Sequence, residues 1–233
     1  MRPGSTILIA GSSHGVGRAL AEHYAKAGHT VFGLSRGESD LVHEQYRHIR
    51  ADVTKEETLK TAFAQIADAG PLHVLIYSTA VASPGFALLI RTSNAEEMLR
   101  TNLFGAFLVS RHALRLMKRS GFGRLIYFSS IAVPLGSAGS AVYGASKAGL
   151  EQLAFSLSHE FVRDNITFNT VGISTYASSM LDLLSEKAQN EARALLVKPD
   201  AVQLDELVGT VNFFASDAAR QITGQNIYFG GVR

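Results

Sequence analysis

Short apolar runs alternate along this chain with longer segments in which apolar residues recur every three or four positions. The runs have the length and the β-branched and aromatic content of strands, and the longer segments have the period of amphipathic helices. The predicted strands are Ser5–Ala10, Thr30–Leu34, Tyr46–Arg50, His73–Tyr77, Gly123–Ser130, Ile166–Val171 and Asn226–Phe229. Strands that alternate with helices in this way predict an α/β fold with a parallel sheet between layers of helices.

The turn after the first strand is rich in glycine. Gly11, Gly15 and Gly17 follow Ala10 with the spacing G-x-x-x-G-x-G, and an amphipathic segment then runs through Ala27. In such a turn backbone N–H groups can approach a pyrophosphate, and the N-terminus of the helix adds positive potential. The turn therefore predicts a nucleotide site, although glycines here can also serve only the close packing of strand and helix.

A second candidate for chemistry is the segment Ser129–Lys147. The alternation in Arg124–Phe128 indicates a buried strand that brings Ser130 to its C-terminal end, and Tyr143 and Lys147 are spaced by one helical turn. A free tyrosine has a pKa of about 10, and a nearby ammonium favours its phenolate. Such a pair can act as acid or base near neutral pH while a serine hydroxyl holds the substrate oxygen. A tyrosine and a lysine four residues apart also occur by chance, so the pair alone decides nothing.

The composition is that of an ordinary globular protein. The 233 residues suffice for one sizeable core, and 46% are hydrophobic and 18% charged, so we expect a single domain over residues 1–233. The absence of cysteine excludes disulfides and thiolate chemistry and favours a cytoplasmic location. The eight histidines show no metal-binding spacing, no apolar run approaches the ~18 residues of a membrane span, and the net charge is only +2. We therefore expect no metal, no membrane and no nucleic acid as partner.

The glycine turn, Ser130 thirteen residues before Tyr143, and Lys147 four residues after it together resemble the short-chain dehydrogenase/reductase family. The likeness spans nearly the whole chain and is nearest to the bacterial 3-oxoacyl-[acyl-carrier-protein] reductases. It implies a Rossmann doubly wound fold with a seven-stranded parallel sheet in the order 3-2-1-4-5-6-7. It also implies the catalytic residues Asn102, Ser130, Tyr143 and Lys147.

In that family a nicotinamide cofactor gives hydride to a carbonyl carbon. The resemblance implies that Tyr143 donates the proton to the carbonyl oxygen and that Ser130 holds this oxygen. Lys147 would lower the pKa of Tyr143 and bind the nicotinamide ribose. Asn102, in a long helix predicted over Ser93–Arg119, would kink that helix and support the proton relay.

The resemblance also implies a set of cofactor-binding positions at the ends of the strands. They are Gly11, Ser13, His14, Gly15, Val16, Gly17, Ser35, Arg36, Asp52, Val53, Ser78, Thr79, Ala80, Tyr143, Lys147, Ile173 and Ser178. A site for NADH normally carries a carboxylate where Ser35 stands, whereas a guanidinium such as Arg36 suits the 2′-phosphate of NADPH. We therefore expect NADPH rather than NADH, although Arg36 can equally be a solvated loop charge and Glu38 and Asp40 lie close by.

Asp52 has two interpretations. By resemblance it accepts a hydrogen bond from the adenine amino group while Val53 packs on the adenine ring. Alternatively, Asp52 or Thr54 caps the next helix, which is predicted over Thr54–Ala69. Both interpretations can hold at once.

Two segments depart from the family pattern. Tyr77-Ser78-Thr79-Ala80 stands where relatives carry N-N-A-G, and Ile173-Ser174 stands where they carry Pro-Gly. Both segments shape the backbone beside the cofactor, and the Cβ of Ala80 is the change with the greatest expected consequence. They leave the four catalytic residues in place.

The expected function is NADPH-dependent reduction of a ketone to a secondary alcohol, and the leading substrate is a 3-oxoacyl thioester, free or bound to a carrier protein. Residues 176–198 fall where the family has a substrate lid, and their apolar residues suit an acyl chain or simple packing on the core. The alternatives are a carbonyl reductase for a sugar, steroid or aromatic ketone, and a catalytically idle nucleotide-binding protein. By resemblance, the C-terminal segment around Gly230 and Gly231 predicts a homotetramer or a homodimer.

Overall fold

The computed structural model describes residues 1–176, 190–191 and 193–232. Within them lie seven strands, each at its predicted place with ends that differ by no more than two residues. They are β1 (Thr6–Ala10), β2 (Thr30–Ser35), β3 (Tyr46–Arg50), β4 (Val74–Tyr77), β5 (Gly123–Ser130), β6 (Ile166–Ile173) and β7 (Gln225–Tyr228). The strands form one parallel sheet in the order β3-β2-β1-β4-β5-β6-β7, which confirms the predicted architecture.

Seven α-helices that connect or flank the strands lie wholly within the described residues. They are α1 (Gly15–Lys26), α2 (Glu56–Asp68), α3 (Thr92–Leu99), α4 (Gly105–Ser120), α5 (Ala132–Leu135), α6 (Ala141–Glu160) and α7 (Leu204–Phe214). The long helix predicted over Ser93–Arg119 is confirmed as an unbroken helical segment from Thr92 to Ser120, in which a π-helical turn at Arg100–Phe104 joins α3 to α4. The four-residue helix α5 was not predicted at all, since its sequence A-V-P-L has no helical period.

The core lies on both faces of the sheet. Alternate residues of a strand point to opposite faces, so Leu8 and Leu75 pack with α2 and α4, whereas Ile7 and Ile76 pack with α1 and α7. All four side chains are fully buried. Burial of one such side chain stabilises the fold by about 1.5–3 kcal/mol. The central strands are therefore held from both sides, and their C-terminal ends are fixed points for a site.

Two further expectations concern what the described residues contain. No helix among them is long and apolar enough to cross a membrane. They also bring no three His, Asp or Glu side chains together as metal ligands. Ser178 and most of the predicted lid at 176–198 lie outside the described residues, so the lid stays a prediction. The single-domain assignment also stays a prediction.

Candidate active site

The ends of β1 and β4 meet where the order of the strands reverses, which is the usual ligand crevice of a doubly wound sheet. Gly11 there has φ +92°, and a Cβ on it would lie only 2.7 Å from the backbone nitrogen of Thr79. A Cβ on Gly17 would overlap the carbonyl oxygen of Gly11. Both positions therefore require glycine, and the turn packs directly against the loop after β4.

The N-terminus of α1 follows this turn. His14 caps α1 in an extended conformation without a side-chain hydrogen bond to the helix, and its ring is 2.9 Å from the Ser13 hydroxyl instead. The first turn of α1, which the structure describes in full, carries no acidic residue. Backbone N–H groups and the helix dipole are therefore directed at the crevice, as binding of a pyrophosphate requires. The predicted positions Gly11 to Gly17 fit a dinucleotide.

The loop after β2 carries several charged residues in exposed positions. Ser35 donates a hydrogen bond to the carbonyl oxygen of Gly37 at 2.9 Å and so shapes the loop. Glu38 pairs with Arg50 at 2.9 Å and Asp40 with Arg18 at 2.8 Å. Glu38 and Asp40, the two carboxylates near Arg36, are thus each paired with a different arginine.

Arg36 itself is engaged only loosely. Its guanidinium lies 3.8 Å from the carboxylate of Glu97, and 63% of its side chain is exposed. Its charge lies close enough to Asp52 to contribute to the low pKa of that carboxyl group. The Arg36 guanidinium is therefore accessible at the edge of the crevice.

Asp52 neither starts nor caps α2, which begins at Glu56 with Lys55 as its N-cap, so the capping interpretation is wrong for both Asp52 and Thr54. The Asp52 oxygen Oδ1 accepts hydrogen bonds from the Thr54 backbone at 2.9 Å and from its hydroxyl at 2.8 Å. Partial burial would raise the pKa of Asp52, but these hydrogen bonds and nearby positive charges hold it below its ordinary value. Asp52 is thus an ordered, charged acceptor beside the buried Val53.

The structure brings Ser130, Tyr143 and Lys147 together. Ser130 ends β5, its hydroxyl accepts a hydrogen bond from the Ala132 backbone at 3.1 Å, and it lies close enough to the Tyr143 hydroxyl to lower the pKa of that group. Lys147, one turn further along α6, is 2% exposed and donates to the carbonyl oxygen of Phe128 at 2.8 Å. Its ammonium nitrogen lies 5.8 Å from the centre of the Tyr143 ring.

The pKa of Tyr143 departs from expectation. Burial raises it, and the nearby Ser130 hydroxyl only partly offsets that effect. The net lowering expected from Lys147 is not what the structure has, because burial of the phenol outweighs it. Lys147 is itself buried, and the pKa of its ammonium falls to about 8. Tyr143 therefore keeps its proton at neutral pH, which is the form that a proton donor needs.

Asn102 is fully buried inside the π-helical turn. Its Oδ1 accepts a hydrogen bond from the Val81 backbone at 2.8 Å, and its Nδ2 donates to the Val81 carbonyl oxygen and the Ser146 hydroxyl, both at 2.9 Å. The Tyr77 hydroxyl donates to the Thr101 carbonyl oxygen at 2.6 Å in the same turn. The π-helical turn lies where the resemblance implies a kink, and Asn102 ties it to α6 and to the loop after β4.

The two altered segments retain connections to the rest of the site. Ser78 donates its backbone N–H to Ala10 at 2.8 Å, and the loop from Ser78 to Ala80 then runs into the Asn102 contact at Val81. The Ile173 carbonyl oxygen accepts a hydrogen bond from the Ile131 backbone at 3.2 Å. The next two hydroxyl oxygens, of Ser174 and Thr175, are buried and have no partner among the described residues. Unpartnered buried polar atoms at this strand end fit a polar ligand.

Sequence reasoning missed several buried polar residues behind the catalytic side chains. Glu151, one turn after Lys147, is 8% exposed and is bonded to Ser129, Asn226 and Tyr228. The signal was present in part, because Tyr143, Lys147 and Glu151 continue one spacing of four residues along α6. Nothing in the sequence alone shows that β7 supplies the other two partners of the Glu151 carboxylate, Asn226 and Tyr228.

The fold and this group of residues define a class, and the chain belongs to the short-chain dehydrogenase/reductase family. The family model that matches residues 10–231 is described as "Enoyl-(Acyl carrier protein) reductase". Members of the family interconvert keto and hydroxyl groups, and this chain is therefore an oxidoreductase acting on such groups.

Two curated relatives are 3-oxoacyl-[acyl-carrier-protein] reductases. The chain is 30% identical over 227 residues to MabA of Mycobacterium tuberculosis, covering 97% of this chain and 91% of that protein. It is 33% identical over 235 residues to FabG of Rickettsia conorii, covering 98% and 96%. A solved structure titled as a putative gluconate dehydrogenase from Agrobacterium tumefaciens is similar with a TM-score of 0.89 at 26% identity, covering 98% of this chain and 95% of that one.

Proposed function

We propose that this protein reduces the keto group of a 3-oxoacyl thioester to a secondary alcohol with NADPH. The observation that carries the chemistry is the proximity of the Ser130 and Tyr143 hydroxyls at the end of β5, with the buried ammonium of Lys147 one helical turn away. These three groups supply a proton, a hydrogen bond to the substrate oxygen and a positive charge at one point. Reduction of a carbonyl needs all three there.

Each side chain has a distinct task in this proposal. The nicotinamide, when bound, supplies the hydride. Tyr143 keeps its proton until the carbonyl oxygen gains negative charge and then donates it, while the Ser130 hydroxyl holds that oxygen. Lys147 binds the nicotinamide ribose and stabilises the phenolate that Tyr143 becomes. Asn102 fixes the loop after β4 against α6.

The preference for NADPH is supported by the charges beside β2. Arg36 is accessible and only loosely paired, whereas Glu38 and Asp40 are each held by another arginine. A guanidinium at this edge binds a 2′-phosphate, and no carboxylate occupies position 35 to bind a ribose 2′-hydroxyl. In the proposal Asp52 accepts from the adenine amino group. The glycine turn holds the pyrophosphate, and Ser78 to Ala80 and Ile173 contact the nicotinamide. Ser178, which is proposed for the same task, lies outside the described residues.

The substrate class is supported by the relatives and by a groove on the segments that flank the site, which is not lined by Asn102, Ser130, Tyr143 or Lys147 themselves. The groove has a volume of about 490 Å³, lies between the segment around Phe86 and the residues that follow Ser130, and is lined mainly by apolar or small residues, among them Ala87, Ala132 and Val133. Such a lining suits an acyl chain better than a polyol. The relatives named 3-oxoacyl-[acyl-carrier-protein] reductases point to the same class, and a carrier protein is then the bearer of the substrate.

A second candidate is reduction of a keto sugar acid. It is favoured by the solved structure titled as a putative gluconate dehydrogenase, which shares the fold over 98% of this chain. A polyol substrate needs several polar side chains around it, whereas the groove near Phe86 is mostly apolar. We therefore rank this candidate second.

The test is an NADPH oxidation assay with purified protein. Acetoacetyl thioester is compared with keto sugar acids and with steroid and aromatic ketones, and each is measured with NADPH and NADH. We expect kcat/KM to be highest for the thioester with NADPH. A keto sugar acid with the higher value would establish the second candidate. Tight NADPH binding without turnover of any ketone would show a catalytically idle nucleotide-binding protein.

The assembly is also a proposal. Leu99, Phe104, Phe107 and Phe155 on the helices α3 to α6 are each more than a third exposed, which is typical of a surface that meets a second copy of the chain. We propose a homotetramer or homodimer, and light scattering after size exclusion measures it. The cytoplasmic location expected from the sequence stays a prediction.

A further inference from the structure

Glu151 is a buried carboxylate without a task in the proposed reaction. It lies on α6 one turn beyond Lys147 and two turns beyond Tyr143, and only 8% of it is exposed. A buried charge is costly unless it is paired and hydrogen-bonded. The surroundings of Glu151 therefore show what keeps it there.

Three side chains from two strands hold the carboxylate. Ser129, the residue before Ser130 on β5, donates its hydroxyl to Oε1 in a short hydrogen bond. From β7, Tyr228 donates its hydroxyl to Oε2 at 2.7 Å and Asn226 donates its amide to the same oxygen at 3.3 Å. Charge-assisted bonds of this kind are about twice as strong as neutral ones.

The sheet makes room for this arrangement. Tyr228 pairs with Gly172 on the neighbouring strand β6, and a Cβ at Gly172 would overlap the Tyr228 ring. Asn226 is oriented by Thr170 on the same strand, whose hydroxyl donates to it at 2.7 Å. Strands β5, β6 and β7 thus all contribute to the position of one carboxylate behind the catalytic lysine.

Resting on the function proposed above, we propose that Glu151 is a positioning residue. Its carboxylate, fixed by Ser129, Asn226 and Tyr228, keeps the Lys147 ammonium charged beside Tyr143. The group acts through Lys147 and touches neither substrate nor cofactor.

The groups around Lys147 support this role. From β5 it is faced by the carbonyl oxygen of Phe128, and from α6 by Tyr143, which keeps its proton, and by Glu151. Among the described residues Glu151 is the charged side chain that acts on Lys147, since Tyr228 on β7 is neutral because burial raises its pKa. Burial lowers the pKa of Lys147 to about 8, and the charge of Glu151 opposes a further fall. The carboxylate of Glu151 therefore favours the protonated form of Lys147 at neutral pH.

The test is the pH dependence of kcat for NADPH-dependent reduction in the purified protein. In the wild type we expect kcat to fall with a midpoint near pH 8, as Lys147 loses its proton. Glu151→Gln keeps the size and most hydrogen bonds but removes the charge, so we expect this midpoint to move down by about one pH unit. A profile that coincides with that of the wild type would overturn the proposal.

The control separates charge from packing. Tyr228→Phe removes one hydrogen bond to Glu151 but leaves its charge, so we expect a lower melting temperature and an unchanged midpoint. Glu151→Asp restores a charge and is expected to move the midpoint back toward the wild type. If Tyr228→Phe shifted the midpoint as much as Glu151→Gln, a structural role would replace the proposed one.

A second measurement does not need activity. In protein labelled with [13C]lysine, the NMR signal that disappears in Lys147→Arg reports the titration of Lys147. We expect its midpoint near pH 8 in the wild type and about one pH unit lower in Glu151→Gln. Equal midpoints in the two proteins would overturn the proposal. Because this titration needs no substrate, it remains decisive even if no ketone is reduced and the proposed function fails.

Discussion

The two ends of the site are built from different kinds of interaction. The nucleotide end, around Arg18, Arg36, Glu38, Asp40 and Arg50, consists of exposed ion pairs between flexible side chains. The catalytic end, around Asn102, Ser130, Tyr143, Lys147 and Glu151, consists of buried or half-buried groups, most of them joined by hydrogen bonds to strands and helices. An exposed ion pair contributes about 0–1 kcal/mol to stability. A buried polar group left without its partner costs about 1–3 kcal/mol.

Because of this difference, we expect substitutions at the two ends to affect different properties of the enzyme. Changes at the catalytic end are expected to cost stability or turnover, because each buried group serves several neighbours at once. Changes at the nucleotide end are expected to alter cofactor affinity with little effect on folding. The four predictions below test this contrast, beginning with the largest expected effect.

The first prediction concerns Tyr143→Phe at the catalytic end. The variant loses the proton donor but keeps the ring that packs beside Lys147, so we expect NADPH affinity near that of the wild type. Turnover is expected to fall by a factor of about 10² or more, the usual contribution of a positioned acid. Steady-state kinetics and fluorescence titration with NADPH measure the two quantities.

The control for this prediction is Tyr127→Phe. Tyr127 is also a buried tyrosine, and its hydroxyl is bonded to Ser110 at 2.9 Å away from the site. Its loss is expected to lower stability slightly and to leave turnover almost unchanged. Equal turnover of Tyr143→Phe and the wild type would refute the mechanism.

The second prediction concerns Asn102→Leu. This change leaves the Val81 backbone and the Ser146 hydroxyl without their partner in the π-helical turn. We expect the free energy of unfolding to fall by about 1–3 kcal/mol, together with a loss of turnover. Urea denaturation gives the first value. Asn94→Leu is the matched control, since Asn94 lies in the neighbouring helix α3 and its side chain makes one hydrogen bond, to Ser83. This variant should have the smaller effect on stability and on turnover.

The sequence predicts the fold from local patterns, and it predicts the candidate catalytic residues from the resemblance to a family. Strand-length apolar runs determine the seven strands, and the spacing of Tyr143 and Lys147 places them on one helical face. The π-helical turn at Arg100–Phe104 has no such pattern. It exists because Asn102 finds partners at Val81 and Ser146, which are distant in sequence.

The electrostatics could not be predicted from spacing for the same reason. Tyr143 and Lys147 are close enough to interact, and the sequence suggested that the ammonium lowers the pKa of the phenol. Burial, which depends on the packing of β5, α6 and their neighbours, instead raises the pKa of Tyr143 and lowers that of Lys147. The role of Asp52 in the chain could not be predicted from spacing either. Hydrogen bonds with Thr54 and Thr58 hold Asp52 ahead of the helix, and α2 begins only at Glu56.

The third prediction concerns Arg36→Ala at the nucleotide end. Because 63% of this side chain is exposed and its pairing with Glu97 is loose, we expect no measurable change in stability. The KM for NADPH is expected to rise about tenfold, through the loss of a charge-assisted contact with the 2′-phosphate, whereas the KM for NADH stays the same. Arg47→Ala, an exposed arginine bonded to Gln65, is the control. Equal effects on both cofactors would show that Arg36 is a solvated loop charge.

The smallest expected effect is that of Asp40→Asn. The Asp40 carboxylate lies 2.8 Å from Arg18, near the proposed site for the 2′-phosphate of NADPH. Its negative charge opposes a bound 2′-phosphate. Its removal is expected to improve the KM for NADPH about two- to threefold at low ionic strength, and the gain should vanish near 0.5 M salt because the charges are exposed. The KM for NADH should not change.

Glu22→Gln is the matched control, because Glu22 also pairs with Arg18 at 2.8 Å. Glu22 lies on α1 one turn beyond Arg18, and therefore further from the N-terminus of that helix. We expect it to change the KM for NADPH less than Asp40→Asn does. If Asp40→Asn instead weakened NADPH binding, the carboxylate would be holding Arg18 in place as a phosphate ligand. The nucleotide end would then depend on a fixed ion pair, and the contrast with the catalytic end would no longer hold there.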